Sequence, residues 1–426
     1  MDKKIVIDTN LFLDDSNIIF KLSKEYDKIV IPITVLKELD ECKYKQNLSY
    51  SARNAIYSIL QFKKEYPDKI IFTITHGSLE SNDIDILNAT KAENAELATK
   101  DISMSIMANS LGLNTKLHDI VMNGLFNPYI YIKVDDLYEF TFLQKYEEEN
   151  YNKILDLFGN SINPNAWIFI FILNEDSVQY IYANNPLTSV LERIDNNPKY
   201  RKLKLENNTT IKALDEYQIC SFYALHEAPN VLLTGKWGSG KTLLGTAYAI
   251  SHSSRKVFIT RPPIGINHKY DIGFMPGDLH EKMLGWFAGF MSALYYLYAN
   301  TRGQNKGGIS YDYVKDQLFK DKFEALPINA LQGMSLLEGD TFIIDEIQLV
   351  DVNYLSMILS RSNNNSKIIL LGDLSQTYNV VRPSESGLLK LLRTLPHKSL
   401  AYVPLQKSYR SDLLEIADKL QDKTLG

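Results

Sequence analysis

Two rhythms of apolar and polar positions run along the chain. Up to about residue 125, short β-branched runs (Lys4–Ile7, Lys28–Pro32, Lys69–Ile74) alternate with stretches of helical periodicity (Ile18–Tyr26, Ser51–Glu65, Ser103–Leu111). That alternation predicts a parallel sheet covered by helices. From about 126 to 208 the runs become aromatic and strand-like: Tyr129–Val134, Tyr138–Phe142, Trp167–Leu173 and Val178–Tyr182, separated by turn residues such as Asn174-Glu175-Asp176. They predict a small antiparallel β module closed by a polar connector, Asn196–Asn208. From 209 to 426 the β/α alternation returns, with strands expected at Asn230–Thr234, Lys256–Thr260, Thr341–Ile344 and Lys367–Leu371. The fold class is therefore α/β, in three regions: 1–125, 126–208 and 209–426.

Composition changes this picture little. At 45% hydrophobic and 23% charged residues, the chain is an ordinary folded protein, and 426 residues exceed what one core supports. Its two cysteines, Cys42 and Cys220, are far apart and lack a Cys-x-x-Cys or a neighbouring His cluster, which speaks against disulfides and structural zinc. No apolar run approaches the roughly 20 residues that span a bilayer, and Met1-Asp2-Lys3-Lys4 shows no leader pattern. The expectation is a cytoplasmic protein with no membrane contact. A net charge of −5 does not advertise a nucleic-acid binder, although backbone binding needs only local cations. The compact basic cluster Lys199, Tyr200, Arg201, Lys202, Lys204 is a candidate contact or a solvated linker.

The strongest chemical signal is Gly235-Lys236-Trp237-Gly238-Ser239-Gly240-Lys241-Thr242. It follows the apolar run Val231-Leu232-Leu233 and opens a helix at Leu243. Glycines let a backbone wrap a phosphate with its N–H groups inward; the helix N-terminus adds favourable potential. Lys241 is placed to reach the terminal phosphates of ATP and Thr242 to ligate Mg²⁺. Later, Phe342-Ile343-Ile344 ends in Asp345-Glu346, an apolar strand carrying one acid for the metal and one to polarise a water. A third strand, Ile368–Leu371, ends in Gly372-Asp373-Leu374-Ser375-Gln376, where the Gln376 amide is a candidate γ-phosphate sensor.

Asp345-Glu346-x-Gln348 followed by Gly372-Asp373-x-x-Gln376 resembles the core of superfamily 1 helicases, a RecA-like P-loop fold. The resemblance implies that Gln218, in Leu214-Asp215-Glu216-Tyr217-Gln218, reads adenine. It also implies that Arg410, in Leu405-Gln406-Lys407-Ser408-Tyr409-Arg410-Ser411, stabilises charge on the γ-phosphate. The PhoH family is the closer resemblance, through Thr260-Arg261-Pro262, Gly273-Phe274-Met275-Pro276-Gly277-Asp278-Leu279 and Ser386-Gly387-Leu388. Where that family carries Arg-Gly-Arg, this chain has Leu331-Gln332-Gly333-Met334-Ser335, so the role of those arginines is lost or has moved to Arg261, Arg361 or Arg410. The chain ends soon after Arg410, leaving no room for a second motor lobe. The family resemblance then implies a homo-oligomeric ring, hexameric, whose neighbours complete each site.

The first region has its own chemistry. Asp8 ends the strand Ile5-Val6-Ile7, Glu38 lies early in a helix after Ile31-Pro32, Asp83 or Asp85 opens another, and Asp101 follows Ala98-Thr99-Lys100. Acids at strand ends and helix starts can converge on one sheet edge, where Mg²⁺ or Mn²⁺ is the expected occupant. Each alone is an ordinary helix-start acid. The set, in order and wording, resembles the PIN-domain ribonucleases, carrying Asp8, Glu38, Asp83 and Asp101 over as metal-binding catalytic acids with Thr9 or Asn10 orienting them. The whole then resembles the PIN–PhoH fusion proteins, which implies an ATP-dependent RNA-unwinding ATPase coupled to a ribonuclease, with single-stranded or structured RNA as partner. The alternatives are an ATP-switched ring binding RNA or protein with a degenerate nuclease site, and a DNA-directed helicase-like ATPase. Phe274 and Trp286 are candidates for base stacking or for core.

Overall fold

The computed structural model describes residues 2–45, 48–74, 82–117, 125–134, 145–146, 163–205, 209–262, 287–299, 322–327, 333–375 and 386–409. The chain forms two compact units, one built on Met1–Leu125 and the other on Phe126–Val381 with Ser386–Gly426.

The first unit is a five-stranded parallel sheet. Its strands are β1 (Lys4–Ile7), β2 (Lys28–Pro32), β3 (Ile70–Thr73), β4 (Glu96–Thr99) and β5 (Thr115–Leu117), in the order β3-β2-β1-β4-β5. Ile5, Val6, Ile7, Ile29, Val30 and Ile31 are all wholly buried, because helices cover both faces of a parallel sheet and leave no polar side. The helix Ser49–Glu65 shows how the cover is made. Ala52, Ala55, Ile59 and Phe62 are buried at helical spacing, and Phe62 meets Phe20 edge-on at 5.2 Å.

The second unit opens with a five-stranded sheet of β6 (Tyr129–Lys133), β7 (Lys145–Tyr146), β8 (Ile168–Asn174), β9 (Ser177–Asn185) and β10 (Val190–Arg193), ordered β6-β8-β9-β10-β7. It is mixed: β6 pairs with β8 in parallel, while β8–β9, β9–β10 and β10–β7 are antiparallel. The expectation of an all-antiparallel module is corrected at that one pairing. The segment 138–142 lies outside the described residues. Both faces of β8 are covered, with Ile168, Ile170 and Ile172 in one apolar cluster and Phe169 and Phe171 in another. That is the period-two consequence of a continuous apolar strand.

The basic stretch is not a loose linker. Pro198–Arg201 is a short helix and β11 (Lys202–Lys204) pairs antiparallel with β12 (Thr210–Lys212). Tyr200, Leu203, Leu205 and Ile211 are buried, while Lys199 pairs with Glu227 at 2.5 Å.

A six-stranded parallel sheet follows: β13 (Asn230–Gly235), β14 (Val257–Thr260), β15 (Phe323–Ala325), β16 (Thr341–Ile344), β17 (Lys367–Gly372) and β18 (Leu400–Leu405). The order is β15-β14-β16-β17-β13-β18. This is a RecA-like P-loop sheet, with the phosphate-loop strand β13 between β17 and β18 and the acidic strand β16 one place further. The β module and this sheet share one apolar cluster through the helix Glu216–Glu227, whose Phe222 and Tyr223 lie with Tyr129, Trp167 and Phe169. The Trp167 Nε1 donates to the Lys398 carbonyl at 2.9 Å, and the Tyr129 hydroxyl to that of Pro404 at 2.9 Å. Among the described residues no helix is long and apolar enough to cross a membrane.

Candidate functional site

The phosphate loop runs from the end of β13 into the helix Lys241–His252. Gly238 and Gly240 have φ of +78° and +91°, a region that glycine enters without steric cost. A Cβ on Gly235 would come within 2.7 Å of the Ser239 Oγ and 3.0 Å of the Leu405 carbonyl. The backbone is thus shaped as a tight cradle. The Ser239 hydroxyl is buried with no hydrogen-bond partner among the described residues, and such orphans are uncommon in a finished core. Lys241 is buried and its ammonium donates to the Gly235 and Lys236 carbonyls at 2.9 and 3.3 Å. These features fit a phosphate ligand.

The loop is braced on two sides. From the helix Glu216–Glu227, Gln218 is 3% exposed. Its Oε1 accepts from the Leu214 N–H at 2.9 Å and its Nε2 donates to the Ser239 carbonyl at 3.2 Å. From the segment after β18, the Ser408 hydroxyl donates to the Trp237 carbonyl at 2.9 Å and the Tyr409 N–H to the Gly238 carbonyl at 3.0 Å. The Tyr409 hydroxyl donates to Asp215, and Lys407 pairs with Glu216 at 2.9 Å.

Across a 710 Å³ cavity from the loop lie Asp345, Glu346 and Arg261. Asp345 is buried, and burial, reinforced by neighbouring Glu346, raises its carboxyl to about 6, against the pull of Arg261 and Lys241. A buried carboxylate facing a lysine at the mouth of a phosphate loop is the arrangement a divalent cation would neutralise, with Thr242 and Asp345 as its holders. Glu346 has φ +56°, a left-handed conformation costly for a side chain of this kind and often kept where function needs it. Arg261 reaches Glu346 at 3.4 Å and Gln348 donates to its other oxygen. The helix Ala288–Ala299 turns Gly289, Ser292 and Tyr296 toward the cavity. Their spacing of three and four is a helix face visible in the sequence, but nothing local ties it to a ligand. Gln376, Arg410, Phe274, Trp286 and Gly273–Leu279 lie outside the described residues.

In the first unit, Asp8 is buried at the end of β1 and accepts from the Thr99 hydroxyl at 2.8 Å. Burial raises its carboxyl to about 6, and the charges of Glu38 and Asp83 push the same way. Glu38 accepts from the Thr9 hydroxyl and, at 2.8 Å, from the Asn82 amide. Asp83 is exposed on the face that acts on Asp8, whereas Asp85 is buried against the Thr34 hydroxyl at 3.4 Å. Asp101 caps the helix Ile102–Ser110, accepting from the Ser103 and Met104 N–H groups. Thr99 also accepts from the Asp101 N–H at 3.0 Å, joining two of the acids, a role sequence reasoning missed. The donor chemistry suits a hard cation, but no three His, Cys, Asp or Glu side chains among the described residues lie close enough to hold one.

Residues 5–118 match the PIN domain family and residues 210–416 the PhoH-like protein family. The chain thus carries a region similar to PIN domains followed by a region similar to PhoH-like proteins. That order is the arrangement of a PIN–PhoH fusion. Protein PhoH2 of Bacillus subtilis (strain 168) is similar to it end to end, 26% identical over 465 aligned residues, covering 99% of this chain and 100% of its own. Protein PhoH2 of Mycolicibacterium smegmatis is 23% identical over 98% of this chain and 96% of its own. Among solved structures, the Pif1 helicase from Bacteroides in complex with ADP-AlF3 and ssDNA aligns with 50% of this chain and 47% of its own, at 21% identity and a TM-score of 0.25.

Proposed function

We propose that this chain hydrolyses ATP to unwind RNA and delivers the strand to a metal-dependent endoribonuclease in its PIN domain. The observation that carries the motor half is the facing of Lys241 and Asp345 across one cavity, Asp345 being buried and raised to about 6. In this reading Thr242 and Asp345 hold Mg²⁺, which would supply charge neutralisation for the triphosphate. Glu346, set by Arg261 and Gln348, orients the attacking water and takes its proton. Gln376 reports the γ-phosphate and Arg410 acts on its charge, within a ring of copies, six in number.

For the nuclease half, the acids are Asp8, on which the charges of Glu38 and Asp83 act, those two, and Asp101 as a fourth, with Mg²⁺ or Mn²⁺ as the required ion. A second reading, an ATP-switched RNA-binding ring with a degenerate nuclease site, draws support from the absence of a closed acidic trio among the described residues and from Leu331–Ser335 in place of Arg-Gly-Arg.

The test is incubation of labelled single-stranded RNA and DNA with Mg²⁺ or Mn²⁺, with and without ATP. Lys241→Ala abolishes phosphate release and unwinding, while Asp8→Asn removes RNA cleavage and leaves phosphate release intact. Cleavage by Asp8→Asn at the wild-type rate sinks the nuclease half. Phosphate release slow and indifferent to RNA turns the motor into a switch, and equal action on DNA removes the RNA assignment. Light scattering tests the ring, which a fully active monomer overturns.

A further inference from the structure

The Gln218 amide is spent inside the protein. Its acceptor faces the Leu214 N–H and its donor the Ser239 carbonyl, at 2.9 and 3.2 Å, with 3% of the residue exposed. A Cβ on Gly240 would lie 3.2 Å from the same Nε2, so the amide is packed against the loop's second left-handed glycine. Turning it toward a base would strand a buried N–H and a buried carbonyl at once.

Around it, the cavity wall on this side is built by Ile211, Leu214 and Trp237, with Lys212 exposed on the rim. Apolar and aromatic surfaces stack any base, since every base has a π-face, and a mobile ammonium can donate to the ring nitrogens or carbonyls of each. Strong rejection of a wrong substrate comes from buried polar groups left unpaired by it, worth about 10⁴-fold or more. Among the described residues, the one buried amide beside this wall already has its partners.

We infer that Gln218 is a positioning residue that braces the phosphate loop, and that the site accepts nucleoside triphosphates with little regard to the base, GTP included. This rests on the reading of the cavity as a triphosphate hydrolase site. Recognition falls on the triphosphate, through the cradle and Lys241, and the base contributes stacking.

The experiment measures phosphate release by the full chain from ATP, GTP, CTP and UTP with Mg²⁺. The expected kcat/KM values for ATP and GTP lie within about tenfold of each other, far below the discrimination of a base-reading site. Gln218→Ala lowers kcat/KM for every nucleotide by a similar factor and leaves the ATP-to-GTP ratio where it was. A wild-type preference for ATP larger than that, or a loss in Gln218→Ala confined to ATP, overturns the inference. Gln218→Glu, which keeps the acceptor for Leu214 and removes the donor to Ser239, serves if the alanine variant does not fold. Should no nucleotide be hydrolysed, the hydrolase reading falls by itself, and displacement of a fluorescent ADP analogue still decides: equal displacement by ADP and GDP supports the inference, displacement by ADP alone overturns it.

Discussion

The Gln348 Oε1 accepts a 3.0 Å hydrogen bond from the backbone N–H of Asp373, and its Nε2 donates to Glu346. Gln348 is wholly buried, so a single amide ties the end of β16 to the end of β17 and fixes the strained Glu346. Gln348→Leu strands the Asp373 N–H, at about 1–3 kcal/mol, and frees Glu346. The expected outcome is a lower Tm and a kcat for phosphate release down about 10–100-fold, with KM little changed. An unaltered kcat refutes the positioning of Glu346 by this residue.

Gly240→Ala places a Cβ at φ +91° and 3.2 Å from the Gln218 Nε2. The backbone term alone is about 1–2 kcal/mol, roughly a tenfold loss of nucleotide affinity by fluorescence titration. Gly112, at φ +72° with open space around it, is the control. Its alanine variant loses stability and keeps nucleotide affinity.

Thr99→Val removes the hydroxyl that donates to Asp8 and accepts from the Asp101 N–H. The hydrogen bond to Asp8 is the largest influence lowering that carboxyl against its burial, so without it the acid holds its proton to higher pH. If the PIN domain cleaves RNA, the variant's cleavage falls about tenfold near neutral pH and recovers as pH rises. A parallel drop at all pH values speaks against this account.

His226 is held down to about 4, first by burial and then by His252, whose ring lies 4.7 Å away, and by Lys199. Its Nε2 is buried without a hydrogen-bond partner among the described residues. The folded state therefore binds fewer protons than the unfolded chain between pH 6.5 and about 4. Stability from this residue is whole above pH 6.5 and lost as pH falls through 4. His226→Phe should remove on the order of 2–3 kcal/mol of that acid sensitivity. Melting curves of both proteins at pH 7 and pH 4 check it, and equal acid losses contradict it.

Much of the architecture was legible because buried parallel strands announce themselves. Lys4–Ile7, Lys28–Pro32 and Thr341–Ile344 begin and end where their apolar runs do. The parallel pairing of β6 with β8 was not, since a strand's own pattern says which faces are covered and not which neighbour runs alongside. The connector misled because polar residues dominate its composition, while Tyr200, Leu203 and Leu205 anchor it between them. In the sites, Lys241 and Asp345 sit in local wording that states their chemistry. Thr99, Gln348 and Ser408 act on partners 91, 25 and 171 residues away, and no local pattern records such distances.

The strand that carries the phosphate loop lies between β17 and β18, and its loop carbonyls are held by Ser408 and Tyr409. Both flanking strands are translated more than a hundred residues after it. On the ribosome, then, the nucleotide pocket is completed long after its motif is made: a nascent chain halted before residue 367 carries the whole glycine-rich motif yet lacks the walls that hold it in shape.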